Sequence, residues 1–88
     1  PLGFALLQNY PNPFNPTTVI TYDLPVRSRV KLAVYDRLGR EVAVLKNAEE
    51  DAQRYAVPFN ASRMSAGVYF YRLTTPTFTE TKKMVLVR

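Results

Sequence analysis

No cysteine, histidine or tryptophan occurs among the 88 residues, and glycine occurs only three times. Without cysteine, no disulfide reinforces the core and no thiolate holds a metal. Without histidine, the commonest general base and the commonest zinc ligand are both missing. Most hydrolase arrangements are thereby excluded, and neither a cofactor nor a metal is expected. The lack of cysteine leaves the compartment open, since a secreted bacterial protein can also do without it. No apolar run approaches the roughly 20 residues that span a bilayer, so no membrane-spanning segment is expected. The first residues lack a basic flank followed by an apolar core, so no signal peptide is expected either. A chain of this length forms one domain at most.

Acidic residues are few, seven against twelve Lys and Arg, for a formal net charge of +5. Such a balance can mark a polyanionic partner. Here the cations are scattered along the chain, and the only adjacent pair is Lys82-Lys83. With no basic run and no recognition helix, nucleic acid is not expected as a partner.

What the chain does have is period-two alternation. Ile20, Tyr22 and Leu24 share one face of a strand, and Val30, Leu32 and Val34 share one face of the next, with Lys31 pointing away. Glu41–Leu45, the Tyr55-Val57-Phe59 alternation, Val68–Leu73 and Phe78–Val87 read as further strands, and Phe4–Leu7 as a short first one. β-Branched and aromatic residues fill these runs, as a half-buried pleated surface favours. Turn signals separate them: Pro25, then Asp36-Arg37-Leu38-Gly39, then the irregular stretch Asn60–Ala66 closed by Gly67, then Thr75-Pro76-Thr77. Asn47–Gln53 reads as a polar, acidic loop with room for one helical turn. Pro58 has no N–H, which places its strand at a sheet edge or a bulge. About seven short strands at spacings near ten residues predict an all-β, immunoglobulin-like antiparallel β-sandwich.

Chemistry-bearing constellations are weak. Glu49-Glu50-Asp51 lacks the alternating spacing of a calcium loop and reads as a solvated loop. The three serines have no activating base, so an enzyme is not expected. Asn60-Ala61-Ser62 matches the N-glycosylation triplet, a pattern that arises often by chance. Tyr22, Tyr55, Tyr69 and Tyr71 fall on inward faces. Tyr35 faces out and is the one tyrosine of these strands available to stack on a sugar.

Two stretches exceed what folding alone requires. Asn9-Tyr10-Pro11-Asn12-Pro13-Phe14-Asn15-Pro16 is stiff and turn-rich, and reads as a cap on one end of the sandwich with Tyr10 and Phe14 as apolar anchors. Thr81-Lys82-Lys83-Met84-Val85-Leu86-Val87-Arg88 is an edge strand guarded by cations, and also an address a receptor can read.

These stretches carry a resemblance. Asn9–Ile20, Val34–Val42, Phe59–Ser62, Ser65–Leu73 and Thr81–Arg88 together resemble, in order, the C-terminal sorting domain of the type IX (Por) secretion system, type A, of the Bacteroidota. The resemblance implies a domain over residues 9–88 that sends a preceding cargo domain of the same chain across the outer membrane. Residues 1–8 would be a linker or protease-site scar with a possible first strand. The implied partners are the type IX translocon or its shuttle and a sortase-like peptidase that removes the domain, after which the cargo is anchored or released. The implied location is the periplasm in transit, then the cell surface or medium. Carried over residue by residue, the sorting signal is Gly67, Val68 and Tyr69 with Lys82, Lys83, Met84, Val85, Leu86, Val87 and Arg88. The domain-start motif is Asn9, Pro11, Asn12, Pro13, Phe14, Asn15 and Pro16. The last strand is expected to add to a sheet edge of a translocon protein. Gln53, where the family usually has a glycine turn, Met64 in place of a frequent leucine, and Pro58 depart from the pattern. Two alternatives stay open: an internal immunoglobulin-like domain such as that of flagellar hook-capping proteins, and an accessory carbohydrate-binding module of a secreted enzyme.

Overall fold

A computed structural model describes every residue from Pro1 to Arg88. Seven strands run in the order β1 (Ala5–Leu6), β2 (Thr17–Leu24), β3 (Ser28–Tyr35), β4 (Glu41–Glu50), β5 (Gln53–Asn60), β6 (Gly67–Thr74) and β7 (Thr79–Leu86). They form a three-stranded sheet, β1-β2-β5, and a four-stranded sheet, β4-β3-β6-β7, with every strand pairing antiparallel. The inner faces meet in one core. Leu6, Ile20, Tyr22, Leu24, Val57 and Phe59 come from the smaller sheet, and Val30, Leu32, Val34, Tyr69, Tyr71, Leu73, Met84 and Leu86 from the larger, with Phe14 and Ala61 filling one end. Alternation of apolar and polar residues is what lets each strand bury one face while the other meets water. Tyr55, the fourth tyrosine expected inside, is half-buried and stacks on Tyr22 with ring centroids 5.2 Å apart.

The turns follow their residues. The Asp36 carboxylate accepts the N–H groups of Leu38 and Arg40, at 2.8 and 3.0 Å, and Gly39 takes a φ of 82°. An L side chain rarely adopts that value. Thr75 closes the β6–β7 turn through its N–H to the Phe78 carbonyl at 2.8 Å. Pro58 sits on β5, an edge strand of the smaller sheet, where a missing N–H costs no ladder bond.

The polar loop expected at Asn47–Gln53 is corrected. β4 continues to Glu50, and the turn is only Asp51-Ala52. β3 supplies ladder partners as far as Ser28↔Glu50. The acidic side chains are also satisfied in place: Glu49 and Asp51 pair with Arg27, and Glu50 accepts the Tyr22 hydroxyl and pairs with Lys46. An edge strand exposed on its outer face tolerates such a polar sequence. β4 also carries two register shifts against β3, opposite Leu32/Ala33 and Val34/Tyr35, which blunt this edge against further pairing.

The anchoring role expected of Tyr10 is corrected as well. Phe14 is 1% exposed and inside the core, but Tyr10 is 81% exposed. Tyr10 exchanges both main-chain hydrogen bonds with Val19, which continues the β2 ladder and turns its ring outward beside Val19. The peptide bonds preceding Pro11, Pro13 and Pro16 are all cis.

Candidate functional site

The three stretches singled out in the sequence meet at one corner of the larger sheet. β6 and β7 pair with Gly67 opposite Leu86, Val68 opposite Val85 and Tyr69 opposite Met84. Residues almost twenty positions apart therefore lie side by side. Their side chains divide by face. Tyr69, Met84 and Leu86 point into the core, whereas Val68 and Val85 are half-buried on the outer face and Lys83 is exposed there opposite Phe70. Lys82 lies on the inward-facing side at the rim, 3.2 Å from Glu80. Val87 and Arg88 follow the strand and are exposed, and Arg88 donates to the carbonyl of Met64.

The Asn9–Pro16 segment straps this corner. Phe14 donates its N–H to the Val85 carbonyl at 3.0 Å and accepts the Val87 N–H at 2.9 Å. The Asn12 side chain accepts the Val85 N–H at 3.0 Å, and Gln8 Nε2 donates to the Lys83 carbonyl at 2.8 Å. These contacts occupy the outward main-chain groups of β7 from the Lys83 carbonyl to the Val87 N–H. The expectation that this stretch offers a free edge to a partner's strand is therefore overturned: the chain's own segment already fills it. What the corner leaves open is its outer face.

Asn9 holds the strap to the smaller sheet. It is 2% exposed, and its side chain donates to Thr18 Oγ1 at 3.1 Å and to the Pro11 carbonyl at 3.2 Å. Its N–H is accepted by the Tyr71 hydroxyl at 2.8 Å, and that hydroxyl donates to the Leu7 carbonyl at 2.7 Å. Burial pushes the Tyr71 phenol up to about 12. No buried side-chain N or O atom lacks a partner anywhere in the chain. Pro11, Pro13, Asn15 and Pro16 shape the segment and make no side-chain hydrogen bond. Sequence reasoning marked the segment but missed Tyr71 as its clamp and Gln8 as its outermost contact. The signal for Tyr71 was its hydroxyl, which a buried tyrosine must satisfy.

Beside the corner lies a depression of about 280 Å³ lined by Asp36, Arg37, Leu38 and Arg40 of the β3–β4 turn and by Ala66–Tyr69. Arg40 pairs with Asp36 at 2.7 Å, and the Arg40 N–H groups hold the Asp36 carboxyl below its ordinary value, backbone bond first. Gly67 has a φ of 148° with open space around its Cα, so conformation and not crowding calls for glycine there. No three His, Cys, Asp or Glu side chains converge on a common point. Glu49 and Asp51 both pair with Arg27, and Glu50 turns away to Lys46. Tyr35 does face outward, but the Arg72 guanidinium lies 4.6 Å above its ring and covers it. Asn60 accepts the Ser62 N–H at 2.9 Å in a local turn. No helix is long and apolar enough to cross a membrane.

The fold is thus a two-sheet sandwich in which an N-terminal strap, the Gly67 strand and β7 are knitted into one corner. The chain belongs to the secretion system C-terminal sorting domain family, whose sequence model matches residues 8–87. It is a C-terminal sorting domain of type IX secretion cargo. No curated protein and no solved structure matches it.

Proposed function

We propose that the outer-membrane translocon of the type IX system reads this domain at the β6–β7 corner, as a folded surface and not as a free strand. The observation that carries the reading is the register that sets Gly67-Val68-Tyr69 directly against Met84-Val85-Leu86. The two parts of the implied signal become one patch only when the sandwich is folded. Lys83 and Arg88 supply its exposed cations, with Lys82 half-buried at the rim and Val87 exposed beside them. Met84 and Leu86 serve the signal indirectly, by holding β7 in the core. In this reading the domain is a recognition module without catalysis, of immunoglobulin-like type. It accompanies an N-terminal cargo domain through the periplasm to the cell surface. A sortase-like peptidase then cuts before the Asn9–Pro16 strap.

The test must separate signal from fold, because removing β7 takes Met84 and Leu86 out of the core. The chain is fused behind a signal-peptide-bearing fluorescent protein in a host with type IX secretion. The intact domain is expected to carry fluorescence out of the cell. A variant combining Lys82→Gln, Lys83→Gln and Arg88→Gln is expected to leave it in the periplasm, while the purified variant melts within a few degrees of the parent. Export of this variant at the parental level means the cations of the corner are not read.

A further inference from the structure

The net charge of +5 is not spread evenly. All seven acidic side chains are in ion pairs within 4 Å, taken up by Arg27, Lys31, Arg40, Lys46, Arg54 and Lys82. The other six cations, Arg29, Arg37, Arg63, Arg72, Lys83 and Arg88, have no acidic partner. Arg29 stands across from Glu49 and bonds Asn47 at 2.8 Å, so it lies in a mixed field. The remaining five surround β6 and β7. Arg72 and Lys83 are on the outer face, Arg37 is in the adjoining turn, Arg63 in the loop that leads to β6, and Arg88 just after β7.

The outer face of β6 and β7 reads Val68, Phe70, Arg72, Thr74 and Thr79, Thr81, Lys83, Val85, with no acid among them. Its apolar members Val68, Phe70 and Val85 are half-buried, and Arg72 is fixed by Tyr35 beneath it and by Thr81 Oγ1 at 3.1 Å. Leu38, 75% exposed, projects at the rim of the depression between Arg37, Arg40 and Gly67.

We propose that this acid-free face docks against an acidic protein surface, whose carboxylates meet Arg72 and Lys83 on the face and Arg37 at its margin. Charge complementarity supplies the attraction, and four of the five cations are arginines. Arginine pairs carboxylates through a planar fork, holds less water than lysine, and is enriched with aromatic residues in protein interfaces. A lipid or nucleic-acid surface is met by runs or dense clusters of about four or more Lys and Arg, whereas the only adjacent cations in this chain are Lys82 and Lys83. The inference deepens the sorting reading and rests on it for the partner's place in the export machinery.

The test titrates the 88-residue chain with a fluorescein-labelled soluble peptide rich in Glu, Asp and Leu. Phosphatidylglycerol vesicles, heparin and duplex DNA are run in parallel. Arg72→Gln is expected to weaken peptide binding about threefold, and Arg37→Gln, Arg72→Gln and Lys83→Gln together about tenfold, with the loss shrinking at high salt. Arg29→Gln changes net charge by the same amount as Arg72→Gln and is expected to leave binding unchanged. Equal loss in both single variants reduces the effect to net charge and overturns the site. Preference for vesicles, heparin or DNA over the peptide overturns the partner class, as does binding to none of the probes. Export that depends on the corner cations, without peptide binding, overturns the acidic partner while the sorting reading stands.

Discussion

Tyr71 does two jobs with one side chain. Its ring is fully buried among the inner residues of the larger sheet, and its hydroxyl bridges Leu7 and Asn9 on the strap. Replacing it by Phe keeps the ring but leaves the buried Asn9 N–H without an acceptor. An unsatisfied buried donor costs about 1–3 kcal/mol. Tyr71→Phe is expected to lower the free energy of unfolding by that amount in a urea titration, with the slope unchanged. An unaltered midpoint would place the strap outside the cooperative unit. Asp23 is a comparable case on the outer face of the smaller sheet. Arg54, its cross-strand partner, donates twice to its carboxylate, at 2.7 and 2.9 Å, and holds it below its ordinary value. Both residues were visible in the sequence as strand positions, but neither partnership was, because each joins positions that only the folded register brings together.

At the scale of elements, β7 carries two demands that need separate handling. Leu86 is 1% exposed and packs with Phe14 at the strapped end. Leu86→Ala is expected to cost about 2–5 kcal/mol, as buried leucine truncations do. Thermal melting monitored by circular dichroism checks it, and a melting temperature equal to the parent's would show that β7 is not core. The contrast with the surface substitutions at Lys82, Lys83 and Arg88 then separates a strand lost from a signal lost. Strand identities were legible because alternation and turn residues report directly on burial of one face. Gly39 and the Asp36 carboxylate announced their turn for the same local reason. The length of β4 was not legible, since its polar residues resemble a loop until Arg27, Lys46 and Tyr22 are seen to satisfy them. The site was legible as three separate stretches. Their meeting, and the covering of the β7 edge by Gln8, Asn12 and Phe14, depend on pairings across seventy residues that no local pattern encodes.

At the scale of the whole molecule, titration bounds the pH range in which the fold holds. Asp23 and Asp36 sit below their ordinary carboxylate value of 3.8, the first through Arg54 and the second through the Arg40 backbone. A carboxylate lowered by folding contributes stability that is complete above its unfolded value and is lost as pH falls through the folded one. The acid limb therefore lies below about pH 4. Tyr22 and Tyr71 are displaced the other way from 10.0, chiefly by burial; the hydrogen bond to Glu50 raises Tyr22 further, and Tyr71 reaches about 12. Folding keeps their protons on, so above about pH 10 the unfolded chain binds fewer protons than the native one and stability falls as pH rises. With no histidine in the sequence, no imidazole titrates between those limbs. The melting temperature is expected to stay level from about pH 5 to 9, fall on the alkaline side beyond about pH 10, and fall on the acid side below about pH 4. Tyr71→Phe should start lower at neutral pH and decline less steeply on the alkaline limb, because one of the three phenols that resist ionisation, Tyr22, Tyr55 and Tyr71, is gone. A parent whose melting temperature drops between about pH 6 and 8, or a Tyr71→Phe variant with an undiminished alkaline slope, would contradict the assignment of these groups.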